Sequence, residues 1–192
     1  LEKQIVNPDT GSDLTSVNIL MQKQQIIKTQ MALKAKQVDE LDKQTEVLAR
    51  TIPTENFEPI VVKNKQVNDR FQRIKGPLEE RQKQLEKKKE AFQFRRDVED
   101  EKLWIDEKMP SILSEEVGNS LFNVHMLKKN NQTLKTEIDN HEPRIMTICN
   151  NGQKLIDEGH EDASEFADLI SELTQKWQEL RDELDERLKR LD

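Results

Sequence analysis

The sequence is poor in the residues that build disulfide frameworks, tight turns and aromatic clusters. Its 192 residues include one cysteine, five glycines, six prolines, two tryptophans and no tyrosine. The single cysteine, Cys149, excludes an internal disulfide framework and fits a reducing compartment. The sequence contains no apolar run long enough to cross a bilayer and no signal-peptide pattern.

Charged residues, in contrast, are abundant. They make up 36% of the chain against 33% for hydrophobic residues, and the net charge is −7. The negative balance disfavours a general nucleic-acid binder. So polar a chain is either disordered or folded as long helical bundles, in which one apolar stripe per helix suffices. The helical spacing of the apolar residues favours bundles.

An internal repeat relates the two halves of the chain. Segment 14–20 aligns with segment 121–127 at an offset of 107, and Gly11 falls on Gly118. The same offset pairs Ile27 with Leu134, Met31 with Ile138, Val38 with Ile145, Leu41 with Ile148, and Leu48 with Leu155. At an offset of 106, Phe71 pairs with Trp177, Ile74 with Leu180, Leu78 with Leu184, Arg81 with Arg187, and Leu85 with Leu191. A shift that covers two helices and a turn predicts tandem structural units.

The apolar spacing predicts an all-α fold of tandem three-helix antiparallel coiled-coil bundles. Segment 13–49 carries a heptad-type seam, with Ser12 or Asp13 as its N-cap. A loop is predicted at 50–59, followed by a helix from Ile60 that continues to Met109. Its stretch 85–92 has no glycine, proline or turn cluster, so the sequence predicts one helix shared by both bundles.

Prolines and glycines predict the remaining boundaries. Gly76–Pro77 and Pro143 predict local kinks, because proline removes a backbone donor and clashes with the preceding turn. The sequence further predicts a loop at 110–119 and helices at 120–157 and 163–191. Gly159–His160 is predicted to end the helix at 120–157.

Two domains are expected, at 1–90 and 91–192. By the offset of 107, Leu1 corresponds to Lys108, so the first unit would lack its first helix and keep at most a stub at 1–5. Its apolar seam would then be exposed, frayed or covered by another copy of the chain. The seam residues are Val17, Leu20, Ile27, Met31, Val67, Phe71, Ile74 and Leu78.

Several segments together resemble the spectrin repeat. Segment 94–108, containing Arg96-Asp97-Val98-Glu99-Asp100-Glu101 and Trp104, is similar to its first helix. Segments 121–145 and 155–160 are similar to its second helix, and Trp177-Gln178-Glu179-Leu180 to its third. Segment 96–101 and Pro77 look closest to β-spectrin chains. The missing first helix and Phe71, where tryptophan is usual, depart from the family pattern.

The resemblance implies a rod segment of a membrane-skeleton protein at the cytoplasmic face of the plasma membrane. Chains of this family cross-link actin through other domains, pair laterally with α-spectrin and attach to membranes through ankyrin. No cofactor and no metal ion are implied. The alternative is a recognition module that docks a partner helix on a bundle face or on the open first unit. An enzyme is disfavoured, since no phosphate-binding loop, catalytic grouping or zinc motif is present.

Most candidate sites are assigned to packing. The predicted core residues are Trp104, Trp177, Phe71, Phe94, Leu127, Leu134, Leu180 and Leu184, and the predicted connector residues are Leu85, Lys88, Ala91 and Phe92. His125 and His141 lie too far apart on one helix to share a metal ion. Cys149 has no adjacent base and is expected to be inert. Lys87–Lys89 and the acidic run 97–101 are expected to be solvated helix surface rather than lipid or calcium sites.

Overall fold

The computed structural model describes residues 1–114 and 120–191. Within this part of the chain every regular element is a helix, which confirms the all-α prediction. The helices are α1 (Glu2–Ile5), α2 (Leu14–Ala49), α3 (Thr54–Leu113), α4 (Leu121–Asp157) and α5 (Ala163–Leu191). The chain divides into two compact units, Leu1–Lys89 and Glu90–Asp192, and the division falls inside α3.

The second unit is an antiparallel bundle of the C-terminal part of α3 with α4 and α5. Helices α3 and α4 run in opposite directions, since Glu90 pairs with Lys154 while Lys108 pairs with Glu137. Fourteen buried apolar residues form one continuous core along the bundle. They are Ala91, Phe94, Val98, Ile105, Ile112, Ile138, Ile145, Ile148, Leu155, Phe166, Leu173, Trp177, Leu180 and Leu184.

The first unit is thinner, because only α2 and the N-terminal part of α3 are long. Helix α1 has four residues and contributes Ile5 to a small core with Ile27, Met31 and Leu78. Across α2 and α3, Asn64 and Asn68 both donate to Oδ1 of Asp42, at 2.6 and 2.8 Å. The first unit therefore has polar contacts between its two long helices, whereas the helices of the second unit are joined by a continuous apolar core.

Caps at the helix ends follow the repeat. Asp13 is the N-cap of α2, where its carboxylate accepts the Ser16 amide at 2.7 Å and the Ser16 hydroxyl accepts the Asp13 amide. Ser120, its counterpart at the offset of 107, caps α4 by accepting the Asn123 amide. Past the end of α4, Gly159 has φ +70°, and the His160 amide donates back to the Leu155 carbonyl. This Schellman closure needs the left-handed backbone that glycine supplies.

Two helix boundaries differ from the sequence prediction. Helix α3 begins at Thr54 and not near Ile60, because Pro59 lies in the second turn, where its missing amide removes only one helical bond. The same helix runs on to Leu113, past Pro110, so the predicted loop at 110–119 starts later than expected. Its residues 115–119, Gly118 among them, lie outside the described part of the chain. Both α3 at Gly76–Pro77 and α4 at Pro143 continue through their interior prolines.

Candidate functional site

An aromatic stack occupies the middle of the second unit. The rings of Trp104 on α3 and His141 on α4 are parallel, with centroids 3.8 Å apart and 1° between their planes. Trp177 on α5 lies 6.3 Å from Trp104 and 6.2 Å from His141. One ring from each of the three helices therefore meets at this level, and the Trp177 ring is tilted by 33° to each of the other two. Both tryptophans and His141 are thus in ring contact with side chains of the other two helices.

Glu101 is a buried carboxylate beside this stack. It is 2% exposed and accepts hydrogen bonds from His141 Nε2 and Arg144 Nε on α4. The expectation that the acidic run 97–101 is all solvated surface is therefore wrong for Glu101. Its position explains the burial, because Glu101 follows Val98 by three residues and precedes Ile105 by four on the same seam. That spacing was the signal in the sequence that could have identified it.

Ion pairs spaced by seven and then four residues along the helices join α3 to α5. Arg95 is bidentate to Glu165 at 2.7 Å and also contacts Asp162 at 2.7 Å. Further along the two helices, Lys102 bonds Glu172 and Lys176 bonds Asp106. Residue numbers rise together on both helices, so the pairs fix a parallel register of α3 and α5. Most of these side chains are partly solvated, and each pair alone is worth about 1 kcal/mol or less.

The Arg95 pair also changes the titration of its members. The hydrogen bond from Arg95 and its positive charge lower the pKa of Glu165. The pKa of Arg95 is raised mainly by its hydrogen bond with Glu165, against the opposing effect of burial. Both shifts favour the charged forms, so the pair is fully ionised at neutral pH.

The predicted connector residues lie on an uninterrupted helical stretch. Leu85 and Ala91 are buried and Phe92 is half-buried, with the Arg95 guanidinium 5.8 Å from its ring centroid. Lys88 is half-buried and donates to the Thr10 hydroxyl at 2.9 Å. The run Lys87–Lys89 is therefore less solvated than expected, since Lys88 and Lys89 are half-buried and the Lys88 ammonium contacts the loop before α2.

The seam of the first unit is less open than the sequence suggested. Val17, Leu20, Ile27 and Met31 are buried to 8% exposure or less, so the expectation of exposure is wrong for them. The loop before α2 covers this end of the seam, and a Cβ placed on Gly11 would lie 2.8 Å from Val17 Cγ2. Further along, apolar side chains remain exposed on both long helices. They are Leu33, Leu41, Val47, Val61, Val62 and Val67.

The other residues singled out in the sequence have ordinary environments. Phe94, Leu180 and Leu184 are buried, whereas Leu127, Leu134 and Phe71 are half-buried. Cys149 is half-buried, with its Sγ 3.9 Å from Thr174 Oγ1. Among the described residues, no group of three histidine, cysteine, aspartate or glutamate side chains is placed to hold a metal ion. None of the described helices has the length and apolarity needed to span a membrane.

These features define a tandem helical-bundle repeat, and comparison with known proteins identifies its family. The spectrin repeat family model matches residues 1–87 and 89–192. The chain is 72% identical over 191 residues to the spectrin beta chain of Drosophila melanogaster, covering 100% of this chain and 8% of that protein. It is 32% identical over 191 residues to the erythrocytic spectrin beta chain of Mus musculus, covering 100% of this chain and 9% of the relative.

An α chain is also similar. The erythrocytic spectrin alpha chain 1 of Mus musculus is 27% identical over 174 residues, covering 91% of this chain and 7% of the relative. The chain belongs to the spectrin repeat family, and its resemblance to β chains is confirmed. It spans less than a tenth of the length of these relatives.

Proposed function

We propose that this chain is a structural rod segment of a spectrin-type β chain, which links and spaces other parts of a cytoskeletal protein. The observation that carries this function is α3, which continues without a break from the first unit into the second. An unbroken helix transmits bending and tension, whereas a flexible linker would absorb them. Residues 1–90 act as a partial spectrin repeat, and residues 91–192 as a complete one.

The segment is elastic because each unit has only a narrow core. A bundle held by one apolar seam and by partly solvated ion pairs opens locally at modest cost and closes again when the load is removed. Stretching single molecules of the chain between two handles tests this role. We expect reversible lengthening steps in which both units participate. Extension that never recovers on relaxation, or rupture without any intermediate lengthening, would rule out an elastic spacer.

The partners follow from the family and not from any contact in this chain. As in the resemblance described above, we propose lateral pairing with a spectrin α chain, and attachment to actin and ankyrin through other parts of the parent protein. The setting would be the cortical cytoskeleton at the inner face of the plasma membrane. The family match and the packing roles of both tryptophans favour a structural protein over an enzyme.

Self-association through the first unit is the second candidate function. The observation in its favour is the exposed apolar set on α2 and α3, where Val62 is 51% and Val67 is 42% exposed. A helix from a second copy could pack on the part of α3 around Val67, which lies on the predicted seam. Sedimentation of the chain over a range of concentrations tests the idea, with Val67→Lys as the variant. A dimer that Val67→Lys abolishes would support it, and a strict monomer at high concentration would exclude it.

A further inference from the structure

Arg187 is a buried arginine on α5, the third helix of the second unit. Its side chain reaches the C-terminal end of α3, which is the first helix of the same unit. It is 6% exposed, and its Nη1 donates to the carbonyls of Ile112, at 3.1 Å, and of Ser114. Its Nε donates to Oδ1 of Asn131 on α4, at 3.0 Å. One side chain on α5 is therefore hydrogen-bonded to both other helices of its unit.

Arg81, the counterpart of Arg187, also bonds backbone carbonyls in the first unit, and one of them, that of Asn7, corresponds to the Ser114 carbonyl. It is 8% exposed, and its two terminal nitrogens donate to the carbonyl of Asn7 and, at 2.9 Å, to that of Asp9. The repeat offsets place Arg81 on Arg187, Asn7 on Ser114, and Gln24 on Asn131. Gln24 is also buried, and it donates to the Leu78 carbonyl at 3.0 Å.

Helix termini explain why an arginine is needed here. The last four carbonyls of a helix have no partner within it, and the partial negative charge at that end attracts a cation. Ile112 is the second-last residue of α3, and Asn7 lies two residues after the end of α1. A guanidinium carries five donors in a fixed plane, so Arg187 bonds two carbonyls through Nη1 and the Asn131 side chain through Nε, whereas a lysine offers its three donors on one nitrogen.

We propose that Arg81 and Arg187 are latches: Arg187 holds the C-terminal end of α3, and Arg81 holds the loop that follows α1, onto the third helix of its unit. When a latch opens, the end of the first helix and the start of the second separate from the third helix, while the rest of the unit stays packed. The latch is thus the release point at which a unit begins to open. In the second unit it ties α3, α4 and α5 together, and in the first it helps to hold the four-residue α1.

Amide hydrogen exchange of the intact chain, followed peptide by peptide, tests the proposal. In Arg187→Met we expect exchange to become about tenfold faster or more in 103–113 and 121–131, because charge-assisted bonds to buried carbonyls are lost. Exchange in 91–100 and 145–155 should stay within about twofold of the unmodified chain. In Arg187→Lys, exchange in 103–113 and 121–131 should be faster than in the unmodified chain and slower than in Arg187→Met. Arg190→Met is the matched control, since Arg190 is exposed on the same helix and bonds only within it.

A second pair of variants tests the first unit separately. Arg81→Met should increase trypsin cleavage after Lys3, because α1 is no longer held to α3. Arg70→Met removes another contact between α3 and α1, the exposed pair with Glu2, and should change this cleavage little. Equal effects of Arg81→Met and Arg70→Met would overturn the proposal. So would exchange in Arg187→Met that rises equally throughout residues 91–191, since that result shows general loss of stability and not local release.

Discussion

Gly152 on α4 lies directly against the ring of Phe94 on α3. A Cβ built at residue 152 would be 2.5 Å from Phe94 Cε2 and Cζ and 3.0 Å from Ile170 Cδ1. Phe94 is 2% exposed and meets Phe166 edge to face, with centroids 5.4 Å apart, so the ring has little freedom to move. The absence of a side chain at 152 is therefore what lets three helices approach at this level.

This contact predicts that Gly152→Ala destabilises the second unit. Displacing a packed ring costs about 1–3 kcal/mol, which outweighs the gain of up to about 1 kcal/mol from placing alanine in a helix. Asn151→Ala, next to it on the exposed face, should be neutral or slightly stabilising. Denaturant unfolding monitored by tryptophan fluorescence measures both variants. Phe94→Leu should reduce the cost of Gly152→Ala in a double-mutant cycle, and additivity of the two changes would contradict the contact.

The environment of Glu101 predicts unequal roles for two arginines. Arg144→Gln removes a charged partner from a carboxylate that is 2% exposed, so we expect a loss of about 2 kcal/mol in the free energy of unfolding. Arg181→Gln breaks the pair with Glu142, in which both side chains are about 40% exposed, and should cost less than about 1 kcal/mol. Chemical denaturation distinguishes them. Equal losses would mean that Glu101 is better solvated than its burial indicates.

The lowered pKa of Glu165 predicts a pH-dependent contribution to stability. A carboxylate with a lowered pKa stabilises the fold above its ordinary pKa, and that stabilisation disappears as the pH falls through the lowered value. Glu165→Gln should therefore lower the melting temperature at pH 7. The corresponding loss in the free energy of unfolding should be less than about 1 kcal/mol, because the pair is partly solvated. The difference from the unmodified chain should shrink as the pH falls below about 4.3. A difference that stays constant down to pH 3 would contradict the role of the Arg95 pair.

The sequence was most informative where spacing alone determines structure. The heptad pattern and the offset of 107 predicted long helices and the tandem repeat, and residue type narrowed the N-cap of α2 to Ser12 or Asp13, of which the structure uses Asp13. Both prolines near helix ends were misjudged. Pro59 and Pro110 lie inside α3, where each removes only one helical hydrogen bond.

Buried charge was harder to predict. Glu101 and Arg187 are of residue types that usually lie on the surface. They are buried because they lie on the seam and because hydrogen-bond partners on other helices offset the free-energy cost of removing their charges from water. Arg81 and Arg187 were paired by the repeat, but the carbonyls that they bind lie more than seventy residues away in sequence. Contacts between residues so far apart in sequence depend on how the helices pack in three dimensions. The spacing of residues along one helix does not predict them.

Mechanical coupling of the two units through α3 is the central claim, and Lys87→Pro tests it most directly. Lys87 is exposed in the interior of α3, so proline there breaks the helix at a cost of about 3 kcal/mol without removing core packing, and Lys87→Ala is its control. Trp104 and Trp177 both lie in the second unit, so fluorescence reports that unit alone, while far-UV circular dichroism reports all helices.

The measurement is whether these two signals change together during unfolding by urea. We predict coincident transitions in the unmodified chain and in Lys87→Ala, because the shared helix makes the units unfold together. In Lys87→Pro the transitions should separate, with circular dichroism beginning to change before fluorescence as the thinner first unit unfolds first. Transitions that coincide equally well in Lys87→Pro, or that are already separate in the unmodified chain, would contradict coupling through α3.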